Sequence, residues 1–231
     1  MKNDNSFFNK GYYESYLHAP ALRQRIRRSF SPKTKVLFKT LRNLPVDAKV
    51  LDVGAGVGGL LQLMEWERND LDTYGLDIGK PPTFLSKGEF LRGTVEYLPF
   101  EDETFDLVTC THVLEHLHKP DIAVRELRRV CKKGGVVYIE TPSQRSTLLP
   151  FGFSFWDDPT HIRPYTSVSL GRMLDAEGFS VLKSGTKTSI AGIVLGFPYF
   201  LASPFLRDPQ ASMIFPTYAF GLFVYSIGKK N

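Results

Sequence analysis

One stretch, Val50-Leu51-Asp52-Val53-Gly54-Ala55-Gly56-Val57-Gly58-Gly59, limits what this chain can fold into more than any other. A short apolar run enters a glycine loop and then the amphipathic Leu60-Leu61-Gln62-Leu63-Met64, which reads as strand, tight turn and helix. Glycines at 54 and 56 admit backbone conformations closed to other residues and let a ligand approach the main chain. The helix that follows presents N–H groups that lack intrahelical partners. These are the parts of a nucleotide-cofactor cradle.

Gly54, Gly56 and Gly59 also satisfy the G-x-G-x-x-G spacing of a dinucleotide fold, so the loop alone does not choose the cofactor. Asp52 sits in the strand just before the glycines, where a pyrophosphate site is usually apolar. A second strand, Thr73-Tyr74-Gly75-Leu76-Asp77, ends in an acid about twenty residues on, suited to ribose hydroxyls in either family. An acid-lined loop favours a cofactor with a cationic centre and no phosphates.

Three further segments follow in order: Phe90-Leu91-Arg92-Gly93-Thr94-Val95-Glu96-Tyr97-Leu98-Pro99-Phe100, Phe105-Asp106-Leu107-Val108-Thr109-Cys110-Thr111-His112-Val113-Leu114-Glu115-His116-Leu117, and Gly134-Gly135-Val136-Val137-Tyr138-Ile139-Glu140-Thr141-Pro142. With the glycine loop, and with the looser Asp158-Pro159-Thr160-His161 beyond, this order resembles the class I S-adenosylmethionine-dependent methyltransferases. The resemblance implies an α/β fold: a doubly wound, mostly parallel seven-stranded, Rossmann-like sheet whose last strand is antiparallel. It divides the chain into an N-terminal helical arm, 1–46, and a methyltransferase domain, 47–231, with an apolar insertion at 186–217. It also implies a cofactor, S-adenosylmethionine. Gly54 and Gly56 would cradle its methionine and ribose portions with Ala55 between them, and Asp77, followed by Ile78, would accept from the ribose hydroxyls. Thr94, Val95 and Glu96 would border the adenine, Thr111 would touch the cofactor by its backbone, and Asp52 would orient the loop or meet the amino group.

A chain of 231 residues suits one domain with a core that needs no staples. Two cysteines, Cys110 in a predicted strand and Cys131 at a helix end, form no disulfide framework. With no signal-like apolar run behind Met1-Lys2-Asn3-Asp4-Asn5, they predict a cytoplasmic protein. The net charge is +5, yet Ala21 to Val46 holds eight Lys or Arg residues and no acid. Such a block meets phosphates or an anionic membrane surface, or it is the solvated face of a helix over Ile26, Val36, Leu37, Leu41 and Leu44.

Phe7, Phe8, Tyr12, Tyr13 and Tyr16 predict an aromatic arm, which either covers the cofactor or packs on the core. Ser31-Pro32 predicts a helix start and Pro45 its end. Further helices are predicted from Pro120 to the stop at Gly134-Gly135 and from Thr166 to Gly178, with strands at 179–182 and 220–227. Residues 188–206 carry no charge, but Gly192, Gly196, Pro198 and Pro204 interrupt them. They read as a lid over an apolar pocket, or as an element that dips into a membrane surface, rather than a span.

His112, Glu115 and His116 share one face if they lie on a helical turn, and His161 follows downstream. The pattern resembles the E-x-x-E-H motif of ubiquinone-pathway O-methyltransferases and, with the later His, that of small-RNA 2′-O-methyltransferases, which hold a divalent metal against acceptor hydroxyls. His112 stands where those families have Glu, which favours zinc or iron over magnesium. Without a metal, His161 or His112 is the natural general base. The resulting expectation is methyl transfer to a hydroxyl of a small-molecule, glycan or lipid-linked acceptor. The competing readings are an RNA methyltransferase that uses the basic helix, a nicotinamide oxidoreductase and a non-catalytic cofactor-binding subunit. No RNA-binding module is recognisable, so nucleic acid is the lesser partner, and the oligomeric state is open.

Overall fold

The computed structural model describes residues 33–79, 88–148, 154–188 and 219–231, together with scattered positions between 190 and 217. The aromatic arm and the first half of the basic block lie outside the described residues. Seven strands form one sheet in the order β3-β2-β1-β4-β5-β7-β6: β1 Lys49–Val53, β2 Asp72–Asp77, β3 Glu89–Arg92, β4 Phe105–Thr111, β5 Cys131–Pro142, β6 Phe179–Thr186 and β7 Phe223–Lys230. The first five run parallel, while β7 is antiparallel to both β5 and β6. This is the mostly parallel methyltransferase-type sheet that the sequence predicts, and it places the carboxyl ends of β1, β2 and β4 side by side.

Alternation along the strands builds a core on each face of the sheet. Leu51 and Val53 of β1, Val108 and Cys110 of β4, and Val137 and Ile139 of β5 join one cluster; Val50, Leu107 and Tyr138 point into the other. Helix α1, Lys33–Arg42, buries Leu37, Phe38 and Leu41 in the second cluster, while Lys39 and Arg42 face outward. Arg68 ends that helix by donating to the carbonyls of Leu41 (3.1 Å), Leu44 (2.8 Å) and Pro45 (2.8 Å). Arg42 is paired with Glu67 of α2, Gly59–Glu67, at 2.6 Å. The described end of the basic block is therefore a solvated helix face over a core.

Helix α3, Pro120–Val130, ends earlier than Gly134-Gly135, with Cys131 both its C-cap and the first residue of β5. The register passes from Phe105↔Cys131 to Leu107↔Val136, so residues 132–135 bulge out of the ladder. Gly135 sits where a Cβ would meet Cys131 Sγ at 2.9 Å and Asp106 O at 3.1 Å, which makes the glycine part of the bulge rather than the helix stop. Cys110 and Cys131 are free and buried, and burial pushes the Cys131 thiol up to about 12. Helix α4, Ser167–Ala176, starts with a reciprocal cap between Thr166 and Ser169. Strand β6 runs past its predicted end at 182, and β7 lies later than predicted, starting at Phe223 rather than 220 and ending at Lys230, where the two strands pair with one another. Among the described residues no helix is long and apolar enough to cross a membrane.

Candidate active site at the carboxyl ends of the strands

The glycine loop is sewn to the end of β2. The N–H groups of Gly54 and Ala55 donate to Leu76 O at 2.8 and 3.0 Å, and Gly56 N donates to Asp77 Oδ2 at 2.8 Å. Gly79 N reaches the other oxygen, Oδ1, at 2.7 Å, so two backbone amides orient the Asp77 carboxylate at the loop mouth. Gly54 has φ +74, and a Cβ there would lie 2.1 Å from Val113 Cγ2. Both conformation and space require glycine.

Asp52 lies beneath this loop, 1 % exposed, and accepts from Thr109 Oγ1 at 2.7 Å. Burial pushes its carboxyl up to about 7; the Thr109 bond opposes that and the charge of Asp77 adds to it. The turn at Thr94–Tyr97 borders the same mouth, tied to β2 by Gly93 N to Asp77 O at 3.0 Å. Glu126 and Arg129 of α3 clamp its far side: Leu98 N donates to Glu126 Oε2 at 2.9 Å and Arg129 Nη2 to Leu98 O at 2.8 Å. Thr94 and Glu96 are exposed there, whereas Val95 turns into the core. Ile78 is held through its carbonyl by Arg92 Nε at 2.9 Å, and Thr111 closes β4 opposite Glu140.

The histidine cluster stands directly beyond Thr111. His112 is left-handed, φ +57, with its N–H on Glu140 O at 2.9 Å, and the following turn, Leu114–His116, is 3₁₀. The sharp bend that seats Val113 on Gly54 takes His112 off that turn, so positions 112, 115 and 116 do not share one helical face. The His112 ring instead bridges two buried carboxylates, Nδ1 3.4 Å from Glu115 Oε1 and Nε2 3.5 Å from Glu140 Oε1. Phe223 meets it edge-on at 4.9 Å. Behind it, Glu140 accepts from Tyr138 OH at 2.6 Å and pairs with Lys187, while Glu115 accepts from Thr141 Oγ1 at 3.0 Å.

Glu115, His116 and His161 offer ligand atoms that all lie within 4.8 Å of one another, and His112 stands outside that set. Hydrogen bonds fix the ring tautomers. Thr160 donates its hydroxyl to Asp158 Oδ1 at 2.5 Å, so at 2.8 Å His116 Nδ1 must be the donor to Thr160 Oγ1. His161 Nδ1 donates to Phe155 O at 2.6 Å, with the ring stacked on Phe155 at 4.3 Å. Each imidazole thus carries its lone pair on Nε2, as in a metal-ligating histidine whose other nitrogen is held by an oxygen acceptor. Burial holds the His116 pKa below its usual value, against the pull of Glu115, which keeps the ring neutral and fit to ligate. Two imidazoles and one carboxylate suit zinc or ferrous iron.

Glu140 and Lys187 were not legible as site residues. Glu140 had one signal, an acid inside the otherwise apolar Val136-Val137-Tyr138-Ile139 run, whereas Lys187 is brought in only by the pairing of β6 with β7.

A family model described as a methyltransferase domain matches residues 21–184. A ubiquinone biosynthesis O-methyltransferase of Aliivibrio fischeri (strain MJ11) is 37 % identical over 103 residues, which cover 40 % of this chain and 43 % of that protein. A demethylmenaquinone methyltransferase of Roseiflexus castenholzii is 31 % identical over 152 residues, 62 % of each chain. The matches thus span less than two thirds of these relatives. In fold, a SAM-dependent methyltransferase from Archaeoglobus fulgidus superposes with a TM-score of 0.65 at 19 % identity, over 96 % of this chain and all of that one. With the strand order, the glycine loop and the family match in agreement, the chain belongs to the class I S-adenosylmethionine-dependent methyltransferases.

Proposed function

We propose that this protein transfers a methyl group from S-adenosylmethionine to a hydroxyl of a small-molecule or lipid-linked acceptor. The cofactor, when bound, supplies the methyl group on a sulfonium for in-line displacement, so the protein's task is to position, to exclude water and to take a proton. Gly54, Ala55, Gly56, Asp77 and Ile78 would hold the methionine and ribose side, Thr94 and Glu96 on either side of the buried Val95 the adenine, and Thr111 the turn toward the acceptor. Asp52 acts from beneath, at the end of β1, where its bond from Thr109 ties the strand that enters the loop to β4.

The observation that carries an oxygen acceptor is the meeting of His112, Glu115, His116 and His161 next to the cofactor loop. His112, 30 % exposed, is placed to take the acceptor proton on one ring nitrogen while the other donates to a neighbouring carboxylate, Glu115 or Glu140. Glu115, His116 and His161 would hold a divalent ion, which supplies Lewis acidity toward acceptor oxygens. In the absence of an ion, His161 joins His112 as a base.

The described roots of the 186–217 insertion lie beside the acceptor side. Its two roots touch the cluster, Lys187 through Glu140 and, just past its end, Phe223 against His112. Ile190, Val194, Phe197 and Leu201 recur at helical spacing and are all exposed, 47 to 82 %. That apolar stripe favours a lipid-linked acceptor taken from a membrane surface. The test is incubation with methyl-labelled S-adenosylmethionine and an extract of the source cells, followed by solvent partition. Label in the organic phase is expected; water-soluble label would return the insertion to a lid over a small polar or glycan acceptor, and nuclease-sensitive label would overturn the small-molecule reading.

A further inference from the structure

At the other end of the sheet a cavity of about 460 Å³ lies against the amino ends of β4 and β5. Lys230 pairs with Phe179 and Lys229 with Val136, which puts the end of β7 far from the glycine loop. The wall holds five cations against three acids. Each acid is matched to its own cation: Glu177 to Arg125 at 3.6 Å, Asp102 to Arg129 at 2.9 Å, and Glu103 to Lys230 at 3.3 Å. Arg125 and Arg129 also hold Asp121 and Glu126 on their own helix. Arg128 and Lys133 have no ion-pair partner among the described residues.

Arg128 is also constrained. Its guanidinium packs over Gly178, where a Cβ would come 3.2 Å from Nε and 3.4 Å from Nη2, and Nε is buried without a hydrogen-bond partner. A buried guanidinium N–H without an acceptor is costly and uncommon, which marks Arg128 as a fixed cation whose charge is not met within the described residues. We propose that this cavity binds a phosphate-class dianion, anchored by Arg128 and met by Lys133. The rigid guanidinium fork suits phosphate oxygens, the lysine adds a point charge, and the volume admits a small phosphomonoester rather than phosphate alone. The site lies apart from the glycine loop and the histidine cluster, sharing with the cofactor side only Arg129, which clamps the far side of the Thr94–Tyr97 turn, and it does not depend on the function proposed above.

The test is calorimetry and thermal unfolding of the full chain with inorganic phosphate, phenyl phosphate and, at matched ionic strength, potassium chloride. Saturable binding of phosphate, tighter for phenyl phosphate, is expected, with a rise in melting temperature that chloride does not reproduce. Tighter phosphate than phenyl phosphate would make free phosphate the ligand and keep the anion site. Arg128→Met should weaken binding at least about tenfold and Lys133→Ala by about threefold, both leaving S-adenosylhomocysteine affinity unchanged. If Arg128→Met does not fold, Lys133→Glu, at an exposed position, must abolish the phosphate effect. No saturable binding, an equal effect of chloride, or undiminished binding in Arg128→Met or Lys133→Glu would overturn the proposal.

Discussion

Val113 rests on Gly54 so closely that a methyl group on the glycine would lie 2.1 Å from Cγ2 of the valine. The glycine belongs to the cofactor loop and the valine to the histidine turn, so this contact sets the spacing between the two halves of the site. Gly54→Ala faces a clash and an unfavourable φ of +74 together. We expect a loss of about 2 to 4 kcal/mol in stability and at least about tenfold in S-adenosylhomocysteine affinity. Adding Val113→Ala should restore part of both, because it relieves the clash but not the backbone strain. Denaturant titration and calorimetry of the single and double variants check this; wild-type affinity in Gly54→Ala would contradict it.

Asp52 makes stability depend on pH in a definite direction. Its carboxyl, ordinarily near 3.8, is pushed up to about 7 by burial, so between those values the folded protein holds a proton that the unfolded chain has released. Its contribution is therefore lost as pH rises from about 4 to about 7 and changes little above. The full effect is on the order of 4 kcal/mol. Asp52→Asn keeps an oxygen for Thr109 and removes the charge, so it should gain stability over the wild type at pH 8 and match it near pH 4. Urea unfolding of both proteins at the two pH values measures the difference; a constant gap would contradict it.

Much of this architecture is written locally in the sequence. The glycine loop, the acid at Asp77 and the ordered strands are local signals, because turn geometry and alternation are written in adjacent residues. Val95 was less legible: adjacent to two exposed residues, it turns into the core because the turn is clamped from α3. His112 does meet Glu115, but not from a shared helical face, since periodicity assumes a continuing helix while the contact at Gly54 bends the chain. Glu140 and Lys187 meet only because β7 pairs antiparallel with both β5 and β6, a pairing that no spacing encodes.

That pair makes its own prediction. Lys187 is 5 % exposed and Glu140 1 %, so Lys187→Ala leaves a buried carboxylate facing His112 without its cation. A loss of about 3 to 5 kcal/mol is expected, and Glu140→Gln in the same chain should recover a large part of it. A double-mutant cycle by thermal unfolding reads the coupling; additive losses would show that the pair does not stabilise the fold.

The tautomers of His116 and His161 predict an ion. Protein stripped by chelator and dialysed against zinc should retain about one equivalent per chain by elemental analysis. His161→Ala and Glu115→Gln should retain little, while His112→Asn retains the wild-type amount because His112 lies outside the three-residue set. Content that does not respond to the first two variants would place the ion elsewhere.

The most direct measurement compares methyl transfer in wild type and His112→Asn, using labelled S-adenosylmethionine, the cell extract and solvent partition, with S-adenosylhomocysteine affinity read in parallel. Asparagine accepts the left-handed backbone at this position, so the site keeps its shape and loses its base. Transfer is expected to fall at least about a hundredfold, with cofactor affinity within about twofold. Full transfer by His112→Asn would contradict a histidine-assisted reaction on oxygen.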